Sequence, residues 1–259
     1  MDIWSMLRTV ALIVFLYMTS LFILALIRKR NDIADVGWGL GFVLVALCAL
    51  ILSGSITPRK VLVLVLVVLW GLRLAIHVGQ RNRGKQEDYR YKQWREDWGN
   101  RWIIRSYLQV FLLQGLFMVM IAFPIVIIMT QDQGPLGILD WIGVAVWAIG
   151  FFFEAVGDYQ LTLFIRDPTN RGKLMKSGLW QYTRHPNYFG EVTQWWGVFL
   201  IALSVPDGWM GIIGPLTITF LILRVSGIPM LEKRSATKPG WEEYKRRTNA
   251  FFPWFPKKA

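Results

Sequence analysis

Cysteine is nearly absent from the chain, and histidine is scarce. One cysteine, Cys48, and two histidines, His77 and His185, are all that 259 residues provide. A single thiol excludes an internal disulfide. No Cys-x-x-Cys or His-x-x-x-His spacing exists to hold a structural zinc, so no metal is expected. Acids are also few, at 17 Asp and Glu against 29 Lys and Arg, which leaves a net charge of +12. A Walker sequence, an HExxH run and a GxSxG elbow are all missing. So are low-complexity segments and the internal repeats that build inverted-repeat transporters. The glycines of GWGLGF (Gly37, Gly39, Gly41) follow no strand and open no βαβ unit. They are not a dinucleotide fingerprint. Inside an apolar run they read as close helix packing through small residues.

Apolar length is what the chain has in abundance. Its residues are 54% hydrophobic and its mean hydropathy is +0.39. Repeated runs approach the roughly 17–25 residues that cross a bilayer. They predict an all-α, polytopic integral membrane protein that forms one transmembrane domain over 1–259. About seven spans are expected, near 5–27, 36–53, 61–79, 108–129, 138–165, 189–204 and 209–226. The fifth exceeds one crossing and is expected to protrude. The sixth is short and begins with polar residues. The first lacks a basic leader and a small-residue cleavage site, and Arg28-Lys29-Arg30 follows it, so it reads as an uncleaved span.

A basic chain of this kind would suit nucleic acid if its cations formed one patch. They do not. With the N-terminus outside, internal segments hold Arg28-Lys29-Arg30, eight cations from Arg81 to Arg105, five from Arg166 to Arg184 and nine from Arg224 onward. The external loops hold only Arg59 and Lys60. That is the positive-inside pattern, with the C-terminus cytoplasmic and no nucleic-acid partner expected. The long connections, 80–107, 166–188 and 227–259, share the internal face, whereas Pro58, Pro135 and Pro206 mark tight turns on the other. A site opening to the cytoplasm is therefore expected.

Ionisable groups at membrane depth cost several kcal/mol and usually mark function. Asp35 heads the second span, Arg73 and His77 lie in the third, Glu154 and Asp158 in the fifth, and Glu191 in the sixth. Arg73 and His77 are four apart and share a helix face, as do Glu154 and Asp158. Such groups could be satisfied pairs, or they could line one polar cavity.

The densest polar chemistry lies in WQYTRHPNYFGEVTQWWG, residues 180–197. Pro186 suits the first position of a helix, whose free N–H groups and dipole favour an anion. Arg184 and His185 stand before it, and Arg166, Arg171, Lys173 and Lys176 lie upstream. Asn187, Tyr188 and Glu191 fall on the first turn, and Trp195 is one turn beyond Glu191. Phosphates at the mouth with a flat ring deeper in would suit a nucleotide, although aromatic and basic residues also form interfacial belts.

The run SGLWQYTRHPNYFGEVTQWWG, with GDYQLTLFIRD before it and MLEKRSATKPGWEEYKRRTNAFFPWFP after it, resembles the steroid 5α-reductase-like membrane reductases. The similarity is greatest to a bacterial branch known as a domain of unknown function. It extends over roughly 30–256 and includes NDIADVGWGLGF, LWGLRLAIH and RGKQEDYRYKQWRE. The resemblance implies a seven-helix fold that holds NADPH from the cytosolic side, with the cofactor half at about 138–259. It implies reduction of a carbon–carbon double bond in a hydrophobic substrate drawn from the lipid phase. Carried over residue by residue, it gives the cofactor Asn187, Tyr188, Gly190, Glu191 and Trp195. It adds Asp158 with Tyr159, then Arg166, and Arg234, Tyr244 and Arg247 near the C-terminus. Arg171, Tyr182, Arg184 and His185 join them from the anion-site reading, since several arginines suit a cofactor with an extra 2′-phosphate.

The resemblance also has a gap. The steroid enzymes carry a Glu on the second span and a Tyr directly after a His on the third. Here Val78 follows His77, and the second span offers Asp35. Asp35, Arg73 and His77 are the candidates for the acid that polarises a substrate carbonyl. Isoprenylcysteine and phospholipid methyltransferases carry a related RHPxYxG run, so an S-adenosylmethionine-dependent methyltransferase is the alternative. Against it, Glu232-Lys233 replaces the usual Glu-Glu pair. The resemblance to the bacterial branch points to a bacterial inner membrane.

Overall fold

Two of the long helices begin behind a side chain that accepts from their free N–H groups. In the computed structural model, which describes residues 1–257, α1 runs Ile3–Arg28 behind Asp2, whose carboxylate accepts from the Ser5 N–H. It stops at Lys29, which turns left-handed at φ 55°. Helix α2 is Ile33–Leu52. Helix α3, Pro58–Asn82, starts on a proline behind a Thr57 cap. The chain folds into two compact units, one of Met1–Gly137 with Ala202–Gly214, the other of Ile138–Ile201 with Pro215 onward. Among the described residues no β-strand occurs.

In the first unit α2 and α3 meet backbone to backbone. A Cβ added at Gly39 would run into the Gly71 carbonyl, and one at Gly41 into the Met118 side chain. The glycines of GWGLGF are thus packing residues. Lipid tails provide no hydrophobic drive between spans, so such close van der Waals contact is what holds helices together.

After α3, α4 (Tyr89–Trp98), a single tight turn, and α5 (Trp102–Arg105) lead into a π-helical stretch, Ser106–Leu112. Then α6 (Leu113–Ile121) and α7 (Phe123–Gln131) follow. The expected span 108–129 is therefore divided at Ala122, where ψ is −3°. Pro124 explains the break, because a proline ring clashes with the carbonyl four residues back and donates no hydrogen bond.

Arg59 and Lys60 are not loop residues. Both lie in the first turn of α3 and are 3% and 2% exposed. Cations are disfavoured at a helix N-terminus, and the fold answers with partners. Arg59 pairs with buried Asp132 and donates to the Pro135 carbonyl at 2.6 Å. The Lys60 ammonium is held by the Ser53 and Ser55 hydroxyls at 3.2 and 2.7 Å.

The second unit is built on α8 (Ile138–Arg166) and α9 (Pro186–Ala202). Gly143, Gly150 and Gly157 recur every seven residues along α8, and Gly190 and Gly197 along α9. Gly150 faces Gly190, and Gly143 faces Gly197. The helices are thus antiparallel, and a spacing of seven keeps one seam aligned turn after turn. Later in the chain come α10 (Ile213–Phe220), α11 (Ile228–Ser235) and α12 (Trp241–Arg247).

Among the described residues six helical stretches are long and apolar enough to cross a membrane: Ile3–Arg28, Ile33–Leu52, Pro58–Asn82, Tyr89–Ile121, Ile138–Arg166 and Gly208–Ser235. The remaining expected span, 189–204, falls on α9. Its 17 residues make about 25 Å, less than the roughly 30 Å hydrocarbon core. Helix α8 has 29 residues, about 43 Å, which is longer than one crossing needs.

Candidate functional site

The polar side chains of the α8–α9 seam are inserted where glycines let the backbones touch. Glu154 and Asp158 are 3% and 7% exposed and both turn toward α9, as their spacing requires. Glu154 accepts from Gln194 Nε2 at 2.5 Å. Asp158 accepts from Asn187 Nδ2 at 3.1 Å. Lining such a contact with apolar side chains would leave the carboxylates unpartnered in a medium without water, a cost of several kcal/mol each.

The head of α9 is held by segments far away in sequence. The Thr183 hydroxyl donates to the Phe251 carbonyl at 2.8 Å. Arg184 N–H donates to the Asn249 carbonyl, and Trp254 N–H to the Tyr182 carbonyl, both at 2.9 Å. Trp180 Nε1 donates to the Gly157 carbonyl at 3.1 Å, and the Tyr244 hydroxyl closes the group on the Trp180 carbonyl at 2.5 Å. The C-terminal tail is therefore a strap across the loop that precedes α9.

Arg184 lies beneath that strap. Its guanidinium meets Glu232 Oε1 at 2.6 Å and donates to the Lys245 and Thr248 carbonyls. It also packs over the Trp241 ring, 5.6 Å from its centroid. The sequence reading gave Arg184 to a phosphate, but here its donors hold α11 and α12 against the head of α9. A fork of five donors on a residue only 7% exposed can satisfy one carboxylate and two carbonyls at once.

His185 is 5% exposed and stacks on the Tyr188 ring at 5.7 Å. Its Nε2 lies 3.4 Å from Glu232 Oε1, and its Nδ1 is buried with no hydrogen-bond partner among the described residues. Burial pulls the imidazole below its ordinary pKa, although Glu232 opposes the shift. A neutral ring that donates Nε2–H to the carboxylate leaves Nδ1 as a bare acceptor. Burial likewise raises the pKa of the Tyr244 hydroxyl.

The other cofactor candidates are also in the second unit. Arg166 and Arg171 are exposed on either side of the Pro168–Asn170 turn. Neither makes a side-chain hydrogen bond or ion pair among the described residues. Tyr182 is half-buried against Phe255, with ring centroids 6.0 Å apart. Glu191 is half-buried one turn into α9, and Trp195 is fully covered by protein. Arg234 is exposed on α11. Arg247 is exposed on α12, 3.4 Å from Glu243. It shares a cleft of about 230 Å³ with Lys176, Gln181, Tyr244 and Thr248.

The three acid candidates belong to the first unit. Asp35 accepts from the Tyr91 hydroxyl at 2.5 Å and from Arg90 at 3.0 Å, with Arg81 at 3.8 Å. Its carboxylate thus holds the α3–α4 connection. Arg73 and His77 are half-buried, one turn apart on α3. Sequence reasoning missed Gln194 and the anchoring role of Glu232. The seven-residue glycine spacing was the available signal for Gln194. Nothing local marks Glu232, whose partners lie 47 and 48 residues away. Among the described residues no cluster could hold a metal ion.

These features define an all-helical integral membrane protein with a polar, strapped mouth at the head of a short helix. The chain belongs to the family described as Protein of unknown function (DUF1295), whose model matches residues 21–248, and is steroid 5α-reductase-like. An uncharacterised protein of Schizosaccharomyces pombe is 25% identical over 236 residues, covering 78% of this chain and 66% of that protein. The 3-oxo-5-alpha-steroid 4-dehydrogenase 1 of Bos taurus is 36% identical over 78 residues, covering 27% of this chain and 30% of the enzyme. Its Mus musculus counterpart is 32% identical over 74 residues, covering 26% and 29%. The chain thus spans about two thirds of the yeast protein and under a third of the mammalian enzymes. No solved structure matches it.

Proposed function

We propose that the protein is an NADPH-dependent membrane reductase that saturates an activated carbon–carbon double bond in a lipid-like substrate. The observation that carries this reading is the division of labour among the basic residues around α9. Arg184 is consumed by Glu232 and two carbonyls, whereas Arg166 and Arg171 stand exposed without ion-pair partners. Two unmatched guanidinium groups suit a dinucleotide with an additional phosphate. The bare His185 Nδ1 also fits, because it offers a buried acceptor for an N–H donor of the ligand.

Bound NADPH would supply the hydride equivalent. Residues of this chain would bind and orient it. Arg166, Arg171, Lys176 and Arg247 are the groups for the phosphates. Asn187, Tyr188, Glu191, His185 and Tyr182 are the groups for the remainder, with Arg234 at the rim. Asp158, Tyr244 and Arg184 act as positioning residues through the contacts described above, and Trp195, covered by protein, is a further group for the cofactor. For the proton, His77 and Arg73 are better candidates than Asp35, whose carboxylate already serves Tyr91 and Arg90. Similarity to the 3-oxo-5-alpha-steroid 4-dehydrogenases supports a carbonyl-activated alkene as the substrate class. Val78 after His77 departs from the tyrosine that the steroid-reductase resemblance implies at that position, which argues against a 3-oxo-steroid as the substrate.

The test is a thermal-shift series on purified protein with NADPH, NADH and S-adenosylmethionine. A ligand at about 100 times its Kd stabilises the native state by roughly 2.7 kcal/mol. Stabilisation by NADPH well above NADH, reduced in Arg166→Gln and Arg171→Gln, is the expected result. A shift with S-adenosylmethionine alone would transfer the site to methyl transfer, and no shift with any of the three would overturn a nucleotide site.

A further inference from the structure

The end of the first unit formed by the C-terminus of α1, the N-terminus of α2 and the C-terminus of α3 carries a second concavity. It holds about 370 Å³ and is lined by Leu24, Ile33 and Val36 on its apolar side and by Arg28, Arg30 and Arg83 on its polar side. Four arginines at this end are matched to carboxylates: Arg30 to Asp32 at 2.7 Å, Arg90 to Asp35 at 3.0 Å, Arg95 to Glu87 at 2.8 Å, and Arg81 to Asp35 at 3.8 Å. Arg28 and Arg83 are the exceptions on the groove. Both are exposed, and neither side chain has a hydrogen bond or ion pair among the described residues. A topology signal needs cations only somewhere on one side of the membrane. Here the fold brings two unmatched guanidinium groups, 55 positions apart in sequence, to one groove with an apolar flank.

We propose that this groove binds an anionic phospholipid, with the phosphate between Arg28 and Arg83 and the first acyl carbons against Leu24, Ile33 and Val36. Arginine forks suit phosphate oxygens, and basic recesses between spanning helices are where anionic headgroups bind. Charge complementarity selects this occupant. The lining holds three arginines against one acid, Asp32, which Arg30 already engages. The concavity is also open where a side chain could fill it. Gly79 lines the groove, and a Cβ added there meets nothing within 4 Å. The proposal is independent of the nucleotide reading, since every residue in it belongs to the first unit.

The experiment is native mass spectrometry, with thermal unfolding alongside, on the full chain in detergent. The added probes are phosphatidylglycerol, phosphatidylcholine or water-soluble glycerol 3-phosphate. Phosphatidylglycerol is expected to be retained and to raise Tm more than phosphatidylcholine, with glycerol 3-phosphate ineffective. Arg28→Gln/Arg83→Gln should cut that preference at least tenfold. Gly79→Leu keeps every charge and places a side chain in the groove, so it should do the same even if the arginine variant assembles poorly. Equal retention of the two lipids overturns the proposal, as does a preference unchanged in Gly79→Leu. Stabilisation by glycerol 3-phosphate equal to that by the lipid would make this a free-phosphate site and overturn the lipid assignment.

Discussion

Arg184 and Glu232, 48 residues apart, form a 2.6 Å ion pair that ties the loop before α9 to the C-terminal helices. The pair also reaches His185, because the same carboxylate oxygen faces the imidazole Nε2. One acid therefore contacts both the guanidinium that ties down the mouth and the ring beside it.

Removing that acid should strand a guanidinium that is almost wholly covered. Glu232→Ala is expected to lower stability by about 2–3 kcal/mol, since it breaks a largely buried pair by deleting one partner. Arg184→Lys should lose nearly as much, because one ammonium cannot serve a carboxylate and two carbonyls with the fork's geometry. Unfolding in detergent followed by tryptophan fluorescence measures both. An unchanged Tm in Glu232→Ala would show that the pair does not hold the strap.

The glycine seam predicts a steric effect with no chemistry in it. A Cβ at Gly150 would sit 2.6 Å from the Gly190 carbonyl oxygen and 2.7 Å from the Gln194 nitrogen. Backbone atoms cannot swing aside as a flexible side chain can. Gly150→Ala should therefore cost about 1–3 kcal/mol as overpacking, even though alanine favours helix elsewhere. Gly79→Ala, which meets open space, is the control and should be neutral or stabilising. Equal effects from the two would refute the close approach of α8 and α9.

Asp132 gives the corresponding prediction in the first unit. It is 2% exposed and is the ion-pair partner of Arg59. Asp132→Ala leaves a buried guanidinium in α3 without its counter-charge, an expected loss of about 3–5 kcal/mol. Asp132→Asn, which keeps the shape, should lose less. Thermal unfolding ranks the two, and a reversed ranking would count against the pair.

His185 makes stability depend on pH in a definite direction. Burial holds its folded-state pKa below the ordinary value, so the unfolded chain binds more protons than the native one across that interval. Stability then rises with pH through the interval. Its contribution is complete above the ordinary histidine pKa of about 6.5 and declines as pH falls below it. Tm should fall from pH 7.5 to 5.5, and His185→Asn should flatten that slope. The acids Asp2 and Asp167, with lowered pKa values, titrate below this range and do not confound it. A slope that persists unchanged in His185→Asn would assign it to another group.

Much of this was legible in the sequence, and for identifiable reasons. Apolar runs report helices directly, because a backbone in lipid must satisfy its own hydrogen bonds. The four-residue spacing of Glu154 and Asp158 placed both on one face of α8, and Pro186 marked the start of α9. The DUF1295 match over residues 21–248 covers most of the stretch on which the reductase resemblance rested.

What composition and spacing could not reach was the pairing of charges. Arg184, Arg166 and Arg171 look alike in sequence as cations before a helix, yet one is consumed by Glu232 and the others are open. Arg59 and Lys60 look like external loop charges, yet both are buried in the first turn of α3. The difference is physical. A helix or a span is decided by neighbours three or four residues away, so the sequence shows it. Whether a charge meets a partner, a ligand or water depends on which distant segment folds against it, and that is decided only by the tertiary structure.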